Sequence, residues 1–223
     1  MKQPSPSGQI AAGNLSQKKV LVVALGLVQE NGIDFSMRAL STRLNVSHMA
    51  VYRHFKNRRE LLDAIVEAVM EEAMSQAAVN GLSDQSKPWQ ERLKDFSLAI
   101  YDVYVKYPGV AEKVLYGALH TRSGLLMVET AAEFLVKLGL ARIRAAGVFQ
   151  SIGLLVCQVA ILDHARQTGE SDRDGLLARA ADFKDDFPIA HEYIHLMANV
   201  SFRDRLKVGL DLFCSAIEAE VSA

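Results

Sequence analysis

The stretch NVSHMAVYRHFKNRREL, Asn45 to Leu61, combines two histidines, a tyrosine and four cationic side chains with a helical apolar rhythm. Ser47 is a suitable N-cap for a short helix reaching about Arg53. Exposed helix faces favour pairs of glutamate and lysine, whereas the outer surface of this helix carries hydroxyl, aromatic and basic groups. These groups are Ser47, His48, Met49, Tyr52, Arg53 and His54. The stretch therefore predicts a short helix that lies against an acidic partner.

Two further helices are predicted before this one. The first begins after Ser16 and ends at Gly32, and the second opens at Ser36. Asn45 follows the second helix, and asparagine tolerates the left-handed backbone that a tight turn requires. A helix, a turn of about three residues and a second short helix form the helix-turn-helix arrangement.

Helical apolar spacing recurs along nearly the whole chain of 223 residues, and clear two-residue alternation is scarce. The fold is therefore predicted to be all-α, with a disordered tail over 1–13, a helix-turn-helix domain over 14–62 and a larger helical domain over 63–223. In the larger domain, a helix over 142–167 is apolar on two faces and is expected to be buried on both. Residues 169–187 are polar and charged and are expected to form a loop.

Charge is distributed unevenly between the two predicted domains. Residues 14–62 carry eight basic and three acidic side chains, whereas residues from 63 onward carry 16 basic and 23 acidic ones. A basic N-terminal part on an acidic remainder indicates a polyanionic partner at one end of the molecule.

The chemistry of the short helix fits duplex DNA. Hydroxyls and cations bind phosphate oxygens, and short side chains near a helix N-terminus touch base edges. Lys56 directly precedes the next helix, which opens with the capping pair Asn57 and Glu60. Its ammonium group and the free backbone N–H groups of that helix start are expected to form a phosphate site.

The sequence favours a cytoplasmic protein without a membrane span or a disulfide framework. Cys157 and Cys214 lie inside apolar helical patterns, as small buried side chains in a reducing compartment do. The apolar run after Lys18 and Lys19 resembles a signal peptide, but no small-residue cleavage site follows it.

The N-terminal residues resemble the DNA-binding domain of the tetracycline-repressor (TetR) family of bacterial regulators. The matched signs are Gly32 at the end of the first helix, FSMRAL at 35–40, VYRHFKN at 51–57 and the leucines at 61–62, although the family usually has glycine where Asn45 stands. The resemblance implies a ligand-responsive repressor that binds a palindromic DNA operator as a homodimer. It places Ser47, His48, Met49, Tyr52 and His54 in the major groove, and Arg38, Tyr52 and Lys56 on phosphates.

The C-terminal part is similar to the tetracycline-repressor branch in PWQERLKDF, LHTRSG and VGLDLF. That branch binds magnesium–tetracycline through a histidine close before a Thr-Arg pair. If Thr121 and Arg122 are that pair, the histidine position falls on Ala118, so a different small-molecule effector is expected. The expected effector-binding residues are His120, Arg122, Gln158 and Asp163 among Leu119, Phe134, Phe149 and Leu155. The family also implies a four-helix dimer seam made by 142–167 and 202–218.

A rival hypothesis comes from HEYIH, in which His191, Glu192 and His195 fit the zincin pattern of two imidazoles one helical turn apart. Zinc hydrolysis also needs a third protein ligand, and no second motif supplies one. The protein is therefore expected to have no catalytic residues and to bind neither a metal ion nor a cofactor. A third hypothesis retains the fold and the small-molecule ligand but not DNA binding, as in a ligand-sensing adaptor.

Overall fold

The computed structural model describes residues 15–115, 117, 121–169 and 173–222. These ranges contain eleven α-helices and no β-strand. The predicted all-α class is therefore confirmed. The predicted tail over 1–13 lies outside the described residues.

Three short helices form an N-terminal unit that we call the head: α1 (Gln17–Asn31), α2 (Met37–Arg43) and α3 (His48–Tyr52). The Ser16 hydroxyl accepts a hydrogen bond from the Lys19 amide at 3.2 Å, and the Ser36 hydroxyl accepts one from the Ala39 amide at 3.0 Å. Both predicted caps are therefore confirmed. The buried face includes the apolar side chains of Val20, Ala24, Leu27, Val28, Met37, Leu40, Leu44 and Val51.

The fourth helix joins the head to the rest of the chain. In α4 (Arg58–Asn80), Asn57 Oδ1 accepts from the Glu60 amide at 2.9 Å, while the Glu60 carboxylate accepts from the Lys56 amide at 2.8 Å. The helix continues past residue 62, where the sequence places the domain boundary. Head and body therefore share one rigid element.

The remaining helices form the body, in which α8 (Arg142–Gln167) packs against α5 (Trp89–Lys106), α6 (Val110–Leu115), α7 (Arg122–Lys137) and α11 (Phe202–Val221). Within the described residues, α8 is the one helix long and apolar enough to cross a membrane, but its neighbours are those of a core helix. Burial on both faces was expected, yet in the single chain Ile143, Leu154 and Leu162 remain exposed.

The segment 169–187, predicted as a loop, contains a nine-residue helix, so the prediction was wrong over that part. It contains α9 (Arg173–Ala181), and α10 (Pro188–Asn199) follows it. Leucine and alanine dominate α9, and their high helix propensity outweighs the charged residues between them. The two helices pack on each other, and α10 buries none of its own residues in the chain.

Candidate DNA-binding surface and ligand cavity

The turn before α3 has the predicted backbone. Asn45 has a φ of 53°, the left-handed conformation that asparagine adopts more readily than most residues. Ser47 stands at the N-cap with extended backbone, but its hydroxyl makes no capping hydrogen bond. This differs from the expected cap and leaves the hydroxyl on the exposed surface.

The structure places most of the predicted DNA-contacting side chains in solvent. Tyr52 and His54 are half-buried, and the exposed members are Arg38, Ser47, His48, Met49, Arg53 and Lys56. The ring of His48 meets Tyr52 edge-on, with centroids 4.9 Å apart and an angle of 79°. This contact fixes the direction in which the tyrosine projects from α3. We call these eight residues the α3 surface.

Two cations, Arg43 on α2 and Arg58 at the start of α4, bind other residues of the protein. Arg43 forms a two-pronged pair with Glu30, at 2.5 and 3.0 Å, and the Arg58 guanidinium donates to the Ile33 carbonyl at 3.1 Å. By contrast, Arg38, Arg53 and Lys56 form no ion pair with any side chain in the described part of the chain.

The expected phosphate site at Lys56 is only partly available. Its backbone N–H already donates to Glu60, and the Glu60 N–H donates to Asn57. The N–H groups of Lys56 and Glu60 are therefore not free for a phosphate, whereas the ammonium of Lys56 is exposed.

A cavity of about 160 Å³ lies in the body between α5, α6, α7 and α8. Most of its wall is aliphatic or aromatic, with Ser97, Tyr104, Gln150 and Cys157 as the polar members. The apolar wall includes Leu93, Phe96, Ile100, Val114, Leu115, Met127, Ala131, Leu135, Phe149, Ile152, Leu154 and Val156.

Of the predicted effector-binding residues, Phe149 lines this cavity. Phe134 is buried elsewhere, with the Arg92 guanidinium 5.0 Å from the centre of its ring. Arg122 and Gln158 are exposed and are not part of the cavity wall. Leu119 and His120 lie outside the described residues.

Asp163 has a different partner from the one expected. It accepts a hydrogen bond of 2.5 Å from the Tyr101 hydroxyl on α5. Burial, together with this carboxylate, raises the pKa of Tyr101, so the phenol stays protonated and donates. Of the predicted polar set, the three described members, Arg122, Gln158 and Asp163, are not part of the cavity wall.

Sequence reasoning missed all four polar members of the cavity wall, and three of them, Ser97, Tyr104 and Cys157, are buried. Ser97 donates to the Leu93 carbonyl at 2.8 Å, and burial raises the pKa of the Cys157 thiol to about 12, which keeps it neutral. Tyr104 is 3% exposed, and burial raises the pKa of its hydroxyl as well. The available signal was a pair of tyrosines, Tyr101 and Tyr104, almost one turn apart on α5.

A second cavity of about 320 Å³ lies where the head meets the body. Its wall joins residues 31–34, after α1, to Gly109 and Glu112 of the body, and Tyr104 forms part of this wall too. Gly109 has a φ of +84°, and a Cβ atom there would lie 2.5 Å from Cγ2 of Ile33. Only glycine permits this close approach of body to head.

A carboxylate on the connecting helix α4 links that helix to α7 of the body. Glu67 accepts from the Ser123 hydroxyl at 2.8 Å and from the Ser123 amide at 3.2 Å, at the first turn of α7. Partial burial acts to raise the pKa of Glu67, but the bonds from Ser123 and Thr121 and the charge of Arg122 hold it below its ordinary value. The helix dipole of α7 also favours the anion.

Replacing Glu67 with glutamine is expected to destabilise the protein by about 1 kcal/mol at pH 7, because the amide oxygen still accepts from Ser123 and only the difference between a charged and a neutral hydrogen bond is lost. Because the folded pKa is depressed, the ionised carboxylate stabilises the fold above its ordinary pKa of 4.5, and this contribution is lost as the pH falls through the folded value. Urea unfolding between pH 3 and 7 measures both effects. Glu129→Gln, at an exposed position of α7, should change neither the free energy of unfolding nor its dependence on pH. If the two variants unfold alike at every pH, the carboxylate of Glu67 does not stabilise the fold.

The histidines of HEYIH do face each other. The Nε2 atoms of His191 and His195 are 3.2 Å apart on the exposed helix α10. Among the residues the structure describes, however, no group of three or more His, Cys, Asp or Glu side chains is placed to hold a metal ion. The third ligand that zinc hydrolysis needs is not found in those ranges.

Comparison with known proteins agrees with this geometry. The family model described as bacterial regulatory proteins, tetR family, matches residues 20–65, which span most of α1 to the first turns of α4. The chain is 26% identical over 207 residues to the class G tetracycline repressor protein of Vibrio anguillarum, covering 92% of this chain and 94% of that protein.

Two solved structures share the fold. The Streptomyces coelicolor TetR family protein ActR, in complex with actinorhodin, superposes with a TM-score of 0.76 at 22% identity, covering 95% of this chain and all of that one. BioQ with its double-stranded DNA operator gives a TM-score of 0.58 at 21% identity, over 70% of this chain and 92% of that one. The family match over residues 20–65, the relative that spans 92% of the chain and the helix-turn-helix fold together support a transcriptional regulator of the tetR family.

Proposed function

We propose that this protein is a ligand-responsive repressor that binds a palindromic operator as a homodimer and is released from it by a small molecule. The α3 surface carries the proposal. It presents Arg38, Arg53 and Lys56 without an ion-pair partner among the described residues, beside hydroxyl and aromatic groups that suit DNA.

In this proposal α3 lies in the major groove of duplex DNA. The residues at its start, Ser47 to Met49, touch base edges, while Arg38, Tyr52 and Lys56 bind phosphates. BioQ, which shares the fold, is known with its operator bound, and this supports the same mode here. A protein with this activity works in the cytoplasm.

Lys56→Ala is expected to weaken binding to every DNA duplex similarly and to reduce the salt dependence of binding by about one unit of slope, because one phosphate contact is lost. Tyr52→Ala is expected to weaken operator binding without unfolding the protein. Fluorescence anisotropy with labelled operator at several salt concentrations measures both.

The matched control for Lys56→Ala is Lys137→Ala, which removes the same charge from an exposed Glu133 pair on α7. It should leave DNA binding unchanged. If Lys56→Ala and Tyr52→Ala both bind the operator like the unmodified protein, the α3 surface is not the recognition surface.

The homodimer is proposed from an apolar face left uncovered on α8 and α11. Its exposed side chains are Ile143, Leu154, Leu162, Val208 and Leu212. Pairing this face with its copy would form a four-helix bundle and cover surface that a monomer rarely exposes. Two heads so joined would meet successive major grooves, about 34–36 Å apart or a multiple of that spacing.

The effector is proposed to bind in the cavity between α5 and α8. Tyr104 forms part of the wall of this cavity and of the one at the head–body junction, so a ligand that contacts it acts directly on the junction. A ligand that favours a conformer with mis-spaced heads weakens DNA affinity by its coupling free energy, about 1–3 kcal/mol or 5–150-fold. ActR with its bound actinorhodin supports a ligand in this fold.

Two alternatives have less support. A zinc hydrolase at His191 and His195 would need a third ligand, and metal analysis of protein purified without a histidine tag would reveal a stoichiometric zinc. A ligand-sensing adaptor without DNA binding would not need the cationic α3 surface. Sequencing the DNA fragments retained by the purified protein tests the repressor proposal, and retention of none at low salt contradicts it.

A further inference from the structure

The Tyr104 hydroxyl is a buried donor without a hydrogen-bond partner among the described residues. The side chain is 3% exposed and lines the cavity of the body. Tyr101, on the same helix, donates instead to Asp163. Buried polar groups are nearly always hydrogen-bonded, so an unpaired one beside an empty space calls for a partner from outside the chain.

The rest of the cavity defines what that partner is. Its wall contains no charged side chain among the residues the structure describes, and Ser97 already donates to a backbone carbonyl. A carboxylate or a metal chelate placed here would lose its hydration without a compensating charge. The cavity also matches, in volume, a site of about 150 Å³ that accepts a single aromatic ring in another protein.

We propose that the effector is an uncharged, mainly apolar ring compound whose one hydroxyl or carbonyl oxygen hydrogen-bonds to the Tyr104 hydroxyl. This inference rests on the proposed ligand-responsive function and names the class of its ligand. This effector class differs from magnesium–tetracycline, the ligand of the branch that the sequence resembles. The predicted effector-binding residues Arg122 and Asp163 are not part of this cavity wall.

The test uses phenol and toluene, which share a ring and differ in a hydroxyl against a methyl group, and benzoate as the charged analogue. Each is titrated calorimetrically into the full-length protein without DNA. Phenol is expected to bind more tightly than toluene, and benzoate is expected not to bind. Tyr104→Phe should weaken phenol binding about tenfold, the effect of one hydrogen bond, and leave toluene binding unchanged.

Tyr101→Phe is the matched control. It also removes a tyrosine hydroxyl from α5, but that hydroxyl is hydrogen-bonded to Asp163 and Tyr101 is not part of the cavity wall. It should lower the unfolding midpoint and preserve the preference for phenol, whereas Tyr104→Phe should not lower the midpoint, because an unpaired hydroxyl is removed.

A second pair of variants tests the position of the ligand. Gly153 lines the cavity and a Cβ atom there meets open space, whereas Gly147, on the same helix and equally unobstructed, does not line it. Gly153→Leu should abolish binding of both probes, and Gly147→Leu should retain both.

Equal affinity for phenol and toluene, or an unchanged preference in Tyr104→Phe, would overturn the role of Tyr104. Tighter binding of benzoate or of magnesium–tetracycline than of phenol would overturn the uncharged class, and binding of no probe would overturn the cavity as the site. Because these titrations contain no DNA, their failure leaves the proposed operator binding intact, and operator binding is contradicted separately if the protein retains no DNA.

Discussion

Replacing Phe55 with alanine is expected to destabilise the head by about 3–5 kcal/mol and to weaken DNA binding. Phe55 is fully buried directly after α3, where Ala50 and Val51 also face inward. Phenylalanine-to-alanine changes in a core cost about 3–5 kcal/mol, against a total stability of about 5–15 kcal/mol for a typical protein. A helix of five residues has no stability of its own, so the recognition helix depends on these contacts.

Guanidinium unfolding and a mobility-shift assay measure the two consequences together. Met49→Ala is the control for stability, because its side chain on the same helix is 67% exposed; it should change the free energy of unfolding by no more than about 0.5 kcal/mol. A Phe55→Ala variant that binds operator with unchanged affinity would show that α3 is not held by this core.

Replacing Leu212 with glutamate is expected to convert the proposed dimer into a folded monomer. Leu212 is 69% exposed in the single chain, so a carboxylate there is well solvated in the monomer. In the seam between two copies of α8 and α11, the same carboxylate would be buried without a partner, at a cost of several kcal/mol. Operator affinity should then fall by about 10²–10⁴, because the two half-sites are no longer bound by one linked molecule.

Sedimentation velocity gives the mass, and anisotropy with a full palindrome and with one half-site gives the affinity. The same exchange at Leu125, an exposed leucine on α7, is the control and should preserve both. If Leu212→Glu sediments as a dimer, the seam lies elsewhere. A monomer that loses affinity for the palindrome and keeps its affinity for the half-site confirms the linkage.

The head could be predicted from the sequence almost residue by residue. The caps at Ser16, Ser36 and Asn57, and the left-handed turn at Asn45, are where the sequence placed them. Each of these features depends on groups within about four positions of each other along the chain.

Prediction from the sequence failed in two places. One was a charged segment whose helix propensity was underestimated, and the other was a contact between helices far apart in the chain. The charged residues of α9 suggested a loop, although its leucines and alanines form a helix. Asp163 was predicted to bind the effector, but its carboxylate accepts a hydrogen bond from Tyr101, 62 positions away. No spacing in the sequence shows which of two tyrosines on α5 meets an acid on α8.

The sequence by itself determined the three-helix head, its basic charge and the outward residues of α3, because caps, turns and helical periodicity arise from neighbouring groups. Only the tertiary structure decided that α5, α6, α7 and α8 line an apolar cavity, that the Tyr104 hydroxyl beside it has no hydrogen-bond partner in the described part of the chain, and that Gly109 brings the body against Ile33. Burial and hydrogen-bond satisfaction are properties of packed helices, and each depends on side chains that the chain brings together from far apart.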